Sequence, residues 1–453
     1  MSFPKYEEYR DSGDELLGIV PANWNVVRLK RIIAAVESGT SVNATDDPAG
    51  ENEIGVLKTS AVYTGEFRAS ENKKVDVNEL DRVSCPLKPS SLIVSRMNTP
   101  DLIGAAGYVE HAPSNLYLPD RLWQVTFNGS LTKFVHYWTL TSSYRHQVKA
   151  SCTGTSSSMK NLTQEQFGRF QLTAPPLEEQ QAIASFLDAE TAKIDALVAE
   201  QRRLIELLQE KRQAVISHAV TKGLDPHVRM KPSGIEWLGD VPEHWEVVKL
   251  KLLTQIGNGS TPDRKNAHYW DNGIYPWLNS SVVNQSEVTK ADQFVTQVAL
   301  DECHLPKITP PAVLVGITGQ GRTRGMATIL QFEATINQHL AYLKPRENRT
   351  SVSYIHRFFQ KAYWNIREES DGTGSTKGAI TCGQLEKLKM PLPPNAEQRD
   401  IIEYLDTSIA KIELLSEEAE RAITLLQERR TALISAAVTG KIDVRQFACL
   451  ETS

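Results

Sequence analysis

From Pro175 to Thr221, residues of mostly apolar character recur at heptad spacing. They are Ala184, Leu187, Thr191, Ile194, Val198, Gln201, Ile205, Leu208, Arg212 and Val215. The same stripe returns between Pro393 and Thr439 at Ile402, Leu405, Ile409, Ile412, Ser416, Ala419, Ile423, Leu426, Arg430 and Leu433, with an arginine breaking it at the same place. This period predicts two long amphipathic helices. Paired prolines precede each one, Glu179 and Glu397 fall in the first turn near the positive end of the helix dipole, and Gly223 and Gly440 supply the stops. A single apolar stripe needs a partner, and the nearest is the other helix. Leu187, Ile194, Ile205 and Leu208 are therefore expected to pack in one seam with Leu405, Ile412, Ile423 and Leu426. At about 1.5 Å per residue, some 40 residues make a rod of roughly 60 Å.

Elsewhere the pattern is short and β-like. "VLKTSAVYTGEF", "SSLIVSRM", "AAGYVEHA" and "RLWQVTF" predict strands in the first half, as do "YPWLNSSVV", "AVLVGITG", "ATILQF" and "HLAYLKP" in the second. A helical segment follows each set, "KFVHYWTLTSSYRHQV" and "SYIHRFFQKAYWNIREE". This parallel order reflects a duplication. Ser12–Lys30 and Ser233–Lys251 share 12 of 19 residues, including "VPANWNVVRLK" against "VPEHWEVVKLK". Pro175–Thr221 and Pro393–Thr439 share 25 of 47 without a gap, at an offset of 218. Between these frames lie blocks of about 140 residues with little mutual likeness. The expected fold class is α+β: two mixed α/β blocks on a duplicated frame with two long helices. Trp24 and Trp245, inside the repeated phrase, are read as core anchors.

Composition refines this picture only in part. A chain of 453 residues needs more than one core. The polar, acidic start "MSFPKYEEYRDSGDE" does not resemble a signal or transit peptide. No apolar run approaches membrane-spanning length. Five cysteines without a CxxC pair read as reduced thiols in a cytoplasmic protein, and no histidine joins them at metal-ligand spacing. The net charge of −5 hides an asymmetry. Residues 22–174 carry 16 Lys+Arg against 14 Asp+Glu and residues 241–392 carry 17 against 14, so the acidic excess lies in the remainder. Mildly basic blocks on an acidic frame permit local contact with nucleic acid.

Catalytic signatures are missing. The Pro-Pro pairs "APPL", "TPPA" and "LPPN" lack the aromatic residue that an amino-methyltransferase loop stacks on its target base. "GQGRTRG" does not fit the dinucleotide-binding spacing, and "GTGSTKG" does not fit the phosphate-loop spacing. A self-sufficient DNA methyltransferase is thereby disfavoured, and the blocks read as binders rather than catalysts.

The phrases "SGIEWLGDVPEHWEVVKLK", "LLQEKRQAVISHAVTKGLDP" and "NQHLAYLKP", with the "PP..EQ..I...LD....KI..L" helix in both copies, resemble the specificity subunit of type I restriction–modification systems. The resemblance covers both frames and the order of parts along essentially the whole chain. It implies that each divergent block is a target recognition domain reading half of a bipartite, asymmetric sequence in double-stranded DNA. It further implies that the helices pack antiparallel as a coiled coil, with pseudo-two-fold symmetry, and set the unread spacer. Two modification subunits, carrying S-adenosylmethionine and methylating adenine N6, would dock on them. Two restriction subunits would add ATP- and Mg-dependent translocation and cleavage. The chain itself would hold no cofactor, metal or catalytic residue. On this plan residues 1–21 are a frame segment and 22–174 the first recognition domain, followed by a spacer helix at 175–221 and a linker with the repeated frame at 222–240. The second recognition domain is 241–392, its spacer helix 393–439, and the tail 440–453. The alternative is a coiled-coil adaptor that binds proteins rather than DNA.

Bases in a major groove are read mostly by Arg or Lys on guanine and by Asn or Gln on adenine. Loops after the expected strands offer Lys58, Thr59, Ser60, Arg96, Asn98 and Arg121 in the first block. In the second they offer Asn279, Ser280, Thr318, Gln320, Arg322, Arg324, Asn337 and Gln338. "GTSSSMKNLT" and "GTGSTKGAIT", also 218 apart, add Lys160 and Lys377 as candidates for contact with the DNA backbone.

Overall fold

A computed structural model describes residues 3–14, 17–152, 159–319, 321–346, 348–371 and 378–447. The chain forms two compact units. Residues 1–201 and 421–453 make the first, and residues 202–420 the second, so each long helix is shared between them. The helices run Leu177–Lys222 and Asn395–Val438, and glycines with positive φ (Gly223 +74°, Gly440 +72°) follow their ends.

In the first unit, four antiparallel strands lie in the order Ala106–Val109, Ser91–Ser95, Leu122–Phe127, Ile33–Ser38. A smaller sheet places Leu116–Tyr117 parallel to Gly55–Leu57. The strands Asn25–Arg28 and Gln171–Ala174 pair where the chain enters and leaves this head. The segment "KFVHYWTLTSSYRHQV", read as one helix, is two: Thr132–Thr139 and Ser142–Ser151. Thr141 interrupts it, because its hydroxyl caps the second helix by accepting the Tyr144 N–H. One apolar core runs from Trp24, Trp123, Phe134 and Trp138 to Leu187 and Ile194 of the first long helix and Leu433, Ile434 and Val438 of the second. Ile423 and Leu426 pack against its edge.

The second unit repeats the plan. Thr254–Asn258, Leu340–Pro345, Ala312–Gly316 and Ala327–Leu330 form the same antiparallel order, and Glu287–Val288 adds a fifth strand. Tyr275–Leu278 runs parallel to Thr335–Ile336, and Glu246–Lys249 pairs with Lys389–Leu392. The head helix is unbroken, Val352–Asp371. Its core joins Trp245, Tyr354 and Phe358 to Ile216, Ala219 and Val220 of the first long helix and Ile401, Leu405 and Ile409 of the second. The start of one long helix thus packs with the end of the other in both units, so the helices run antiparallel. Of the expected seam residues, Leu187, Ile194, Leu208, Leu405 and Ile412 are buried, while Ile205, Ile423 and Leu426 are half-buried. The two stripe-breaking arginines form equivalent ion pairs: Arg430 with Asp195 (3.0 Å) in the first unit, and Arg212 with Glu413 (3.9 Å) in the second.

The repeated "VP..W" phrase ties each head to its helices. Trp24 Nε1 donates to Glu179 Oε1 (3.1 Å) at the start of the first long helix, and Trp245 Nε1 donates to Glu397 Oε2 (3.0 Å) at the start of the second. His356 is buried on the second head helix with its Nε2 3.1 Å from the Ala327 carbonyl. Burial first, and the neighbouring Arg357 charge second, push its pKa down to about 4. A lowered histidine pKa gives stability that is complete above the ordinary value of about 6.5 and is lost as pH falls toward 4. The second unit is therefore expected to lose roughly 2 kcal/mol between pH 7 and pH 5 from this group. Amide exchange across Val352–Asp371 at the two pH values measures the loss. His356→Gln, which keeps a donor for Ala327, should flatten it.

Candidate nucleic-acid interface

Four segments of each head meet at one end of its main sheet, and a glycine makes the crossing possible. The strand Ile33–Ser38 runs into Gly39, where a Cβ would sit 1.6 Å from the Leu118 carbonyl oxygen. In the second head Thr254–Asn258 runs into Gly259, where a Cβ would sit 1.7 Å from that of Ile336. Only glycine tolerates such an approach. Next to this crossing, Leu122 pairs with Ser95 and Leu340 with Gly316. The Arg96 N–H then donates to the Arg121 carbonyl (3.1 Å), and the Ile317 N–H to the His339 carbonyl (2.9 Å). Lys160–Asn161 lies along Met97–Asn98, as Ala379 lies opposite Thr318. Val56 pairs with Tyr117 and Trp277 with Thr335, so Lys58-Thr59-Ser60 and Asn279-Ser280 leave their strands at the same point.

These registers place the two heads in correspondence. Asp120 and Arg121 occupy the positions of Gln338 and His339, Lys58 that of Asn279, and Met97 that of Thr318. Equivalent backbone sites thus carry different donors and acceptors.

Among the sequence candidates the structure separates outward groups from inward ones. Arg121 is exposed, Lys160 half-exposed, and the Arg96 Nε donates to the Asp120 carbonyl (2.8 Å). Lys58 Nζ donates to the Asp46 carbonyl (3.1 Å), and Ser60 bonds Glu71. Asn98 is buried and donates to the Tyr63 hydroxyl (2.8 Å), which also meets Thr59 (2.7 Å). In the second head Asn337 is buried and accepts the His339 N–H (3.0 Å), while Asn279 accepts that of Ser281 (2.9 Å). Arg324 is only 2% exposed. Arg322 is exposed, on the loop that follows Ala312–Gly316, and lines a cleft with Arg212, His356, Tyr363 and Trp364. Gln320 and Lys377 lie outside the described residues.

Sequence reasoning missed Tyr63, Thr261 and His339. Thr261 donates to Gln338 Oε1 (2.6 Å), Gln338 Nε2 faces His339 Nε2 (3.2 Å), and His339 Nδ1 meets the Thr318 hydroxyl (2.7 Å). The signal for His339 was present in "NQHLAYLKP": aligning the paired leucines, Leu122 and Leu340, sets it opposite Arg121. At these strand ends guanidinium, ammonium and amide groups can hydrogen-bond base edges and phosphates. Among the described residues no group of three or more His, Cys, Asp or Glu could hold a metal ion, and no helix is long and apolar enough to cross a membrane.

Comparison with known proteins agrees with this division. Residues 21–207 and 242–424 each match the family described as the type I restriction modification DNA specificity domain. The type I restriction enzyme MjaVIII specificity subunit of Methanocaldococcus jannaschii is 24% identical over 478 aligned positions, covering 99% of each chain. A chain from a solved type I restriction–modification system superposes with a TM-score of 0.70 at 16% identity, covering 92% of this chain and 98% of that one. The HsdS subunit of Thermoanaerobacter tengcongensis follows at 0.55 and 17%, with 93% and 98% covered.

Proposed function

The chain belongs to the type I restriction–modification DNA specificity family, and from that premise we propose that each head reads one half of a bipartite, asymmetric sequence in double-stranded DNA. The chain is a recognition subunit and not an enzyme. S-adenosylmethionine, Mg and ATP serve its partners, and the complex works in the cytoplasm. We assign residues 22–174 and 241–392 to the two reading heads and 175–221 with 393–439 to the spacer. The observation that carries this reading is the pair of equivalent strand ends with unlike side chains, on frames that are otherwise duplicated. The helices support a stoichiometry of two modification subunits, on which two restriction subunits would assemble. Leu197 is exposed on the first and its counterpart Leu415 on the second, as are the counterparts Leu207 and Leu425, which offers two like partners the same apolar residues.

The test is to coexpress the chain with its modification subunit in a host lacking adenine methylation and to sequence the methylome. N6-methyladenine is expected on both strands of a two-part motif with a fixed gap. The absence of any motif from a soluble complex would refute the reading. Within it, Arg121→Ala should relax one position of one half-site, a loss of about 1–3 kcal/mol of discrimination. Arg322→Ala, in the cleft beside the head helix, should weaken all targets evenly and lower the salt slope by about one, as loss of a phosphate contact does.

A further inference from the structure

Gln338 is exposed at the strand end of the second head, yet both ends of its amide are held. Its Oε1 accepts from the Thr261 hydroxyl (2.6 Å), and its Nε2 lies 3.2 Å from His339 Nε2. An amide nitrogen can only donate, so His339 Nε2 stands as the acceptor of that contact. Its other ring nitrogen, Nδ1, lies 2.7 Å from the Thr318 hydroxyl and holds the ring in place. The chain of bonds is anchored in the fold, because the His339 N–H donates to the buried Asn337 (3.0 Å). Thr261 reaches Gln338 only because Gly259 lets the strand cross against Ile336. A solvated glutamine gains little from being fixed and loses rotamer freedom, so this ordering calls for a use.

The fixed amide keeps one lone pair on Oε1 and one N–H on Nε2 unspent. In the major groove, adenine presents an N6 donor beside an N7 acceptor, the complement of that pair. Resting on the reading of the heads above, we infer that Gln338 reads an adenine in the half-site of the second head, and that Thr261, His339 and Thr318 are positioning residues that hold its amide plane. At the equivalent place the first head carries Asp120 and Arg121, so the shared backbone site presents different chemistry to the other half-site.

The experiment uses the complex of the full chain with its modification subunit. Methylome sequencing of the wild-type complex should give a two-part motif with a specified adenine in one half-site. Gln338→Ala should make that one position degenerate and leave the other half-site unchanged. Thr261→Val and His339→Phe, which keep side-chain bulk but remove the hydrogen bonds, should relax the same position. A destabilised head would instead lose its whole half-site. An oligonucleotide with 7-deazaadenine there, which lacks the N7 acceptor, should be methylated roughly tenfold more slowly by the wild type and no differently from adenine by Gln338→Ala. Even weakening at every target by Gln338→Ala, or indifference of the wild type to the deaza base, overturns the inference while the specificity role stands. A wild-type complex with no motif removes both.

Discussion

Trp24→Ala is expected to cost the first unit about 4 kcal/mol or more. Two effects combine. The indole is fully buried among Tyr6, Leu172 and the end of the second long helix, so its removal leaves a large cavity. Its Nε1 is one of three donors to Glu179, with the Tyr6 hydroxyl (2.6 Å) and Asn23 (3.4 Å). Glu179 is only 6% exposed, so a lost donor leaves a buried carboxylate short of partners. Trp24→Phe separates these effects, since it keeps most of the volume and removes the donor. The twin site gives the control. Trp245 makes the same bond to Glu397, but that carboxylate is 28% exposed and also has His244 at 2.8 Å. Trp24→Phe should therefore cost more than Trp245→Phe. Amide exchange in the first and second units, measured separately, reads both. Equal costs would show that the repeated tryptophans act through volume alone.

The long helices were legible because their period extends over many turns. The expected spans 175–221 and 393–439 differ from the observed Leu177–Lys222 and Asn395–Val438 by a residue or two. The four strands expected in each half are present, but Ile33–Ser38 and Thr254–Asn258 of the main sheets were not expected, and the lengths were not legible. "VLKTSAVYTGEF" and "YPWLNSSVV" look extended throughout, yet each turns into a 3-10 segment after its third or fourth strand residue, at Thr59 and Ser280. The reading groups were legible as a region and not as individuals. Polar side chains at strand ends look alike in sequence, and contacts far along the chain decide which turn inward. Asn98 is taken up by Tyr63, 35 residues away, and Thr261 is brought to Gln338 by a crossing 77 residues away in sequence. No periodicity encodes such partners. The duplication does supply a handle, because the register of one head predicts the position of the strand-end groups in the other.

The antiparallel helices lead to the second large expected effect, on the DNA gap. Four residues inserted after Gln201 and four after Ala419, which are equivalent positions, lengthen each helix by one turn, about 6 Å. Four residues advance a helix by slightly more than one turn, so each apolar stripe is displaced by a small rotation rather than lost. Because both helices gain the same turn, the packing of Ile194 and Leu187 with the end of the second helix, and of Leu405 and Ile409 with the end of the first, survives on either side of the insertion. At about 3.4 Å per base pair the unread gap should grow by one or two base pairs, with both half-sites unchanged. Methylome sequencing reads the gap and the half-sites together. An insertion in one helix alone is the informative counterpart, since its extra turn faces no partner turn and the two seams cannot both stay in register. That chain should be destabilised and direct little or no methylation. If the double insertion changed a half-site while the gap stayed fixed, helix length would not be what measures the distance between the two sequences read.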